Sequence, residues 1–106
     1  GRHQVVERLS GGNQQKIVIA KWISMDLDVI ILDEPTRGVD VKAKSEIYEI
    51  MRSLAAEGKC IIMISSDLPE ILRVSQRVAV MHDGVFTLDK PVSELDEEKI
   101  LYAALN

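Results

Sequence analysis

Two short apolar runs, VIIL at residues 29–32 and CIIMI at residues 60–64, place the strongest constraint on the fold. Both are rich in β-branched residues and both end abruptly in polar residues, so each predicts a buried β-strand. Strands that are apolar throughout and alternate with helices are typical of a parallel sheet covered on both faces. The sequence therefore predicts an α/β fold, with a mostly parallel sheet and flanking helices.

Local signals predict the remaining elements. Asp40 is a good N-cap for a helix over residues 41–57, and Gly58 stands where the glycine that ends such a helix belongs. A hairpin is predicted where two apolar runs flank His82-Asp83-Gly84. Helical spacing or capping predicts three more helices, over residues 14–25, 69–73 and 92–105.

Length and charge exclude several classes of protein. A chain of 106 residues fits at most one small domain, and its net charge of −4, with acids and bases mixed, argues against a nucleic-acid-binding face. No apolar run approaches the length that spans a bilayer, and GRHQVVERLS at the N-terminus lacks the apolar core of a secretory signal. The single cysteine, Cys60, has an apolar context and no partner, which predicts a buried, unreactive thiol in a reducing cytosol.

Two adjacent carboxylates, Asp33 and Glu34, directly follow the first predicted strand. Open α/β sheets bind their ligands at the carboxyl ends of the strands. In that position Asp33 could hold Mg²⁺ through water, and Glu34 could orient or deprotonate an attacking water. The alternative is that the Asp-Glu-Pro sequence only ends a strand with solvated acids.

The sequence Ser10-Gly11-Gly12 precedes the first predicted helix. Backbone N–H groups at a helix start form an anion site when side chains do not shield them, and a serine adds a hydroxyl donor. These three residues therefore predict a phosphate-binding turn. An ordinary helix cap is the alternative, because Ser, Gly and Asn are all common at that position.

The order of four motifs adds information that no single motif carries. LSGGNQQ, VIILDEPT, GVD and IIMISSD follow one another in the order and at the spacing of the ATP-binding-cassette (ABC) ATPases, and the chain resembles that family over about its first ninety residues. Residues 9–14 resemble the family signature, residues 29–34 its Walker B strand and residues 38–40 its D-loop. The longer stretches LSGGNQQK, DEPTRGVD and SSDLPE resemble the second nucleotide-binding half of double-cassette ATPases that power bacterial importers of ribose, galactose and xylose.

The resemblance implies roles for individual residues. Asp33 would hold Mg²⁺ through water and Glu34 would be the catalytic base for the ATP of this cassette. The D-loop, Gly38, Val39 and Asp40, would bridge the two ATP sites of a head-to-tail cassette dimer. The signature residues would contact, in trans, the γ-phosphate of an ATP held by the opposite cassette; they are Ser10, Gly11, Gly12, Asn13 and Gln14.

Two features depart from the family pattern. Asn13 replaces the usual glutamine of the signature and keeps an amide, with Gln14 following it. Ser66 aligns with the switch histidine that contacts the γ-phosphate, and a serine cannot carry a proton at neutral pH as imidazole can. The resemblance therefore implies that this site hydrolyses ATP slowly or that Glu34 works without the histidine.

The P-loop pattern Gly-x-x-x-x-Gly-Lys-Ser/Thr has no match in the sequence. The chain is therefore expected to be the C-terminal part of a cassette, and alone to be inactive towards ATP. Three segments are expected: residues 1–25 as the signature end of a helical subdomain, residues 26–90 as the Walker B, D-loop and switch region, and residues 91–106 as a helical tail.

The resemblance predicts the ATP-hydrolysing part of a bacterial monosaccharide importer. Its expected partners are a second cassette, membrane permease subunits and, indirectly, a sugar-binding protein, with the protein peripheral on the cytoplasmic face of the plasma membrane. An ABC ATPase that acts on ribosomes or in DNA repair is one alternative. A non-enzymatic dimerising module is another, because a sheet without its P-loop strand has an unpaired edge and an uncovered apolar face that favour self-association.

Overall fold

The computed structural model describes residues 3–6 and 28–106 of the chain, so the predicted helix over residues 14–25 lies outside the described residues. The chain divides into two compact units, Gly1–Ile64 and Ser65–Asn106. The first unit contains strands β1 (His3–Val6), β2 (Val29–Asp33) and β3 (Cys60–Ile64) and helix α1 (Val41–Ala56). The second contains α2 (Leu68–Val74), β4 (Arg77–His82), β5 (Val85–Pro91), a 3₁₀ turn (Val92–Glu94) and α3 (Glu97–Leu105).

The first unit is built on a parallel sheet in the order β1-β2-β3. The prediction of a parallel sheet with flanking helices is confirmed. Strand β1 was not predicted, because its four residues, HQVV, carry too short an apolar pattern to indicate a strand. Its conformation is fixed by pairing with β2, from His3 beside Val29 to Val6 beside Leu32.

The two faces of this sheet differ in burial. On one face Ile30 and Leu32 are 1% and 2% exposed, beside the half-buried Ile61 and Met63 of β3. On the opposite face of β3, Ile62 and Ile64 are 45% and 51% exposed, and Cys60 is exposed as well. The predictions that β3 is buried on both faces and that Cys60 is a buried thiol are therefore wrong.

Helix α1 follows the predicted pattern. The Asp40 carboxylate caps it by accepting a hydrogen bond from the Ala43 N–H at 2.8 Å. Gly58 ends it with a φ of 92°, and the Lys59 N–H donates to the Leu54 carbonyl at 3.2 Å. One face of the helix is buried, namely Ala43, Ile47, Tyr48, Met51 and Leu54.

In the second unit, α3 packs against an antiparallel hairpin of β4 and β5. The hairpin turns at Asp83 and Gly84, both with positive φ, as the tight two-residue turn requires. The Thr87 hydroxyl donates to the Ala103 carbonyl and His82 Nδ1 donates to the Ala104 carbonyl, each at 2.8 Å, which ties the end of α3 to the hairpin. The core consists of Val78, Val80, Ile100 and Ala103, with partly buried neighbours that include Leu72 and Leu88.

The tail is not one helix over residues 92–105, as the sequence predicted. The 3₁₀ turn and α3 are separate because the Asp96 carboxylate accepts from the Lys99 N–H at 2.8 Å and starts α3. No helix within residues 28–106 is both long and apolar enough to cross a membrane.

Candidate functional site

The carboxyl ends of β2 and β3 lie at the same edge of the parallel sheet, where Asp33 pairs with Ile64. Asp33 is the last residue of β2 and is half-buried. Side chains alternate along a strand, so Asp33 lies on the face opposite Ile30 and Leu32. The structure therefore presents one predicted carboxylate at the edge where sheets of this class bind ligands.

Glu34, the next residue, has a backbone conformation that residues other than glycine seldom adopt. Its φ is 50°, in the left-handed region, which costs a residue with a Cβ roughly 1–2 kcal/mol. The Glu34 N–H donates to the Ile64 carbonyl at 2.7 Å, so β3 holds this peptide in place just beyond the last paired residue. Strained residues of this kind concentrate at functional sites, because the surrounding structure must enforce them.

The turn after Glu34 is closed by hydrogen bonds. The Arg37 N–H donates to the Glu34 carbonyl and the Val39 N–H donates to the Thr36 carbonyl, each at 3.2 Å. Thr36 and Val39 are buried, whereas Gly38 is exposed and has a φ of 73° that favours glycine. Residues 34–39 thus form a hydrogen-bonded turn after β2, and the last of the predicted D-loop residues, Asp40, is the N-cap of α1.

Ser66, the predicted switch residue, belongs to the second unit and is exposed. Its neighbours are hydrogen-bonded: the Ser65 hydroxyl donates to Glu70 Oε1 at 2.8 Å and accepts from the Asp67 N–H at 3.0 Å. Glu70 is only 2% exposed, which the sequence did not predict. A glutamate in the first turn of a short helix is usually solvated, so no pattern pointed to it.

The structure brings part of the predicted site together. Asp33, Glu34 and residues 38–40 lie in one strand–turn–helix segment of the first unit, whereas Ser66 lies in the second. The signature residues predicted to bind phosphate lie outside the described residues; they are Ser10, Gly11, Gly12, Asn13 and Gln14.

The strand end suits Mg²⁺ in its chemistry. Within the described residues no three His, Cys, Asp or Glu side chains are grouped to hold a metal ion. Mg²⁺ needs no such cage, because it keeps several waters and is usually bound by one or two carboxylates and substrate phosphates. A half-buried carboxylate at a ligand-binding edge, as at Asp33, fits that mode of binding.

Comparisons with known proteins agree with this geometry. A family model described as ABC transporter matches residues 1–37. The chain is 58% identical over 101 residues to the xylose import ATP-binding protein XylG of Thermoanaerobacter pseudethanolicus, and 59% identical over 104 residues to the ribose import ATP-binding protein RbsA of Shouchella clausii. The chain is therefore similar to ATP-binding proteins of ABC transporters over nearly its whole length. The two alignments cover 95% and 98% of this chain but 20% and 21% of the relatives, so the chain spans about a fifth of their length.

A solved structure shares the fold of this chain. An ATP-binding cassette of an ABC transporter superposes with a TM-score of 0.73 at 24% identity, covering 90% of this chain and 40% of that one. The α/β class predicted from the sequence is thereby confirmed. The resemblance predicted from the motif order is confirmed by the sequence matches.

Proposed function

We propose that this chain is part of a longer ATPase that powers the import of a monosaccharide across a bacterial plasma membrane. Two relatives are named as xylose and ribose import ATP-binding proteins, and nearly the whole of this chain aligns with each of them. The single observation that carries a hydrolytic role is the conformation of Glu34. Glu34 lies at the carboxyl end of a parallel strand, in a strained backbone held by the Ile64 carbonyl, and this conformation supports the role of a preorganised base.

In the proposed reaction Glu34 accepts a proton from the water that attacks the γ-phosphate of ATP. Mg²⁺, when bound, neutralises charge on the phosphates, and Asp33 would hold it through water. The closed turn over residues 34–39 holds the Glu34 backbone in place, because its N–H donates to the Ile64 carbonyl and its carbonyl accepts from the Arg37 N–H. Ser66 would contact the γ-phosphate through its hydroxyl, which can donate a hydrogen bond but cannot carry a proton as histidine does.

The proposal extends to a second cassette. The signature residues 10–14 would bind the γ-phosphate held by that cassette, and the D-loop, Gly38–Val39–Asp40, would lie between the two sites. We place the chain in the second half of a double-cassette protein, on the cytoplasmic face of the plasma membrane, with permease subunits as partners and a sugar-binding protein acting through them. The alignment with import proteins that are about five times longer supports this proposal.

The test is Glu34→Gln in the full-length protein that contains this chain. The other cassette's base should be replaced in every sample, so that turnover reports this site alone. We expect kcat for ATP to fall by at least about 100-fold, because general-base catalysis contributes 10²–10⁴-fold, while ATP affinity persists. Glu49→Gln, which neutralises an exposed glutamate of α1, is the matched control and should keep full activity. Full turnover by Glu34→Gln would reject the proposal.

A further inference from the structure

The segment that contains Ser66 is held by a closed ring of hydrogen bonds around a buried carboxyl group. The Ser65 hydroxyl donates to Glu70 Oε1 at 2.8 Å, and the Asp67 N–H donates to Ser65 Oγ at 3.0 Å. Asp67 Oδ1 in turn accepts from the Glu70 N–H at 3.1 Å. Glu70 is only 2% exposed, so the ring includes a buried residue.

Ser66 lies between Ser65 and Asp67, which are both members of this ring. Ser65 and Asp67 are each tied to Glu70, one through a side chain and the other through the start of α2. The Ser66 backbone is therefore confined from both sides, although Ser66 itself is exposed. A buried polar group with satisfied hydrogen bonds is a suitable anchor, because leaving it unsatisfied is costly.

We propose that Glu70 is a positioning residue: through Ser65 and Asp67 it fixes where Ser66 presents its hydroxyl to the γ-phosphate. The inference rests on the proposed function, which gives Ser66 that contact. Catalysis by positioning depends on small displacements, since a misplacement of about 1 Å can cost as much as 100-fold in rate. A serine has a short side chain and no charge, so its contribution depends on its position more than that of a long or charged residue would.

The test compares kcat and KM for ATP in single and double variants of the full-length protein, in the same background as the Glu34 experiment. Ser65→Ala removes the bond to Glu70 with little change in volume; we expect kcat to fall about tenfold while KM changes less than about twofold. Glu70→Gln keeps an oxygen that can accept from Ser65, so this variant should retain most of the wild-type rate. Asp89→Asn, which weakens an exposed ion pair of the same unit, is the matched control.

The double variant Ser65→Ala/Ser66→Ala separates positioning from general stability. If the ring acts through Ser66, the kcat of the double variant should equal that of Ser66→Ala alone, because the hydroxyl that the ring positions is already absent. A second, activity-independent measurement is amide hydrogen exchange, which should accelerate at residues 66–67 in Ser65→Ala with the global melting temperature little changed.

Three results would overturn the inference: unchanged kcat in Ser66→Ala, a multiplicative loss in the double variant, or unchanged exchange at residues 66–67 in Ser65→Ala. The proposed function fails separately, through full turnover in Glu34→Gln. If Glu34→Gln abolishes turnover and the Ser65 and Ser66 variants do not alter it, the proposed function stands and the positioning role is rejected.

Discussion

Strands β2 and β3 are neighbours of similar composition, yet they are buried to different extents. Both have five residues with a β-branched apolar centre, and they pair in parallel from Val29 beside Cys60 to Asp33 beside Ile64. Strand β2 lies between β1 and β3, whereas β3 pairs only with β2 in the part of the chain that the structure describes. On each face the β2 residue is the more buried of a pair: Ile30 is 1% exposed beside the half-buried Ile61, and Ile31 is half-buried beside Ile62, which is 45% exposed.

The difference shows that an apolar run identifies a strand without specifying its position in the sheet. A central strand and an edge strand can have the same residues, since burial depends on which elements cover each face and each edge. The candidate site carboxylates, Asp33 and Glu34, lie at the carboxyl end of the central strand. The edge strand supports them, because the Ile64 carbonyl at its end accepts the Glu34 N–H.

The largest expected effect is on stability. Ile30→Ala should lower the free energy of unfolding of the purified chain by about 2–5 kcal/mol, because it leaves a cavity in the buried face. Ile62→Ala makes the same chemical change on the exposed face and should cost about 1 kcal/mol or less. Urea unfolding followed by circular dichroism measures both values. Equal losses would show that Ile30 and Ile62, and so the two faces of the sheet, are buried alike in solution.

A second prediction concerns the exposed face and edge of β3. We expect the purified chain to self-associate, because apolar residues and an edge that pairs with nothing in the described residues invite strand pairing between copies. Ile62→Lys should raise the concentration needed for association by about tenfold or more, since a lysine on an edge strand opposes pairing. Light scattering over a concentration series gives this value, and Ile62→Val, which keeps the apolar surface, is the control. A wild-type chain that remains monomeric at high concentration would contradict the prediction.

The smallest effect is expected at Glu34, the residue after the last pair between β2 and β3. Glu34→Gly should stabilise the chain by about 1 kcal/mol, because glycine adopts the φ of 50° without the cost that a Cβ imposes. Asp83→Gly in the hairpin turn, with the same φ, is the matched control and should gain less, since aspartate tolerates this conformation better than most residues. The melting temperatures of the two variants test the pair.

If Glu34→Gly loses stability while Asp83→Gly gains it, the Glu34 side chain makes contacts worth more than its backbone strain. That outcome would weaken the view that the strain at Glu34 is kept for catalysis. A gain at both positions, together with loss of turnover by Glu34→Gln, would indicate that the chain gives up stability at this position for function.

Several local elements could be predicted because their signals are short in range. The Asp40 side chain caps the start of α1, and Gly58 ends the helix with a positive φ. Asp83 and Gly84 form the hairpin turn, and all of these signals act within a few residues. The predicted carboxylates, Asp33 and Glu34, lie at the strand end as expected. Two features needed distant partners and were missed: β1, which depends on pairing with β2, and the burial of Glu70.

The sequence by itself determined the resemblance to ABC ATPases, the α/β class and the carboxylate pair at the end of β2, because motif order, apolar runs and capping residues can be read from the chain without its fold. Only the tertiary structure decided that one face of β3 is open and that Glu34 takes a left-handed conformation against the Ile64 carbonyl. It also decided that Glu70 is buried and accepts a hydrogen bond from Ser65, the residue before Ser66. Burial and strain are set by groups that meet only after folding, so no local pattern in the chain records them.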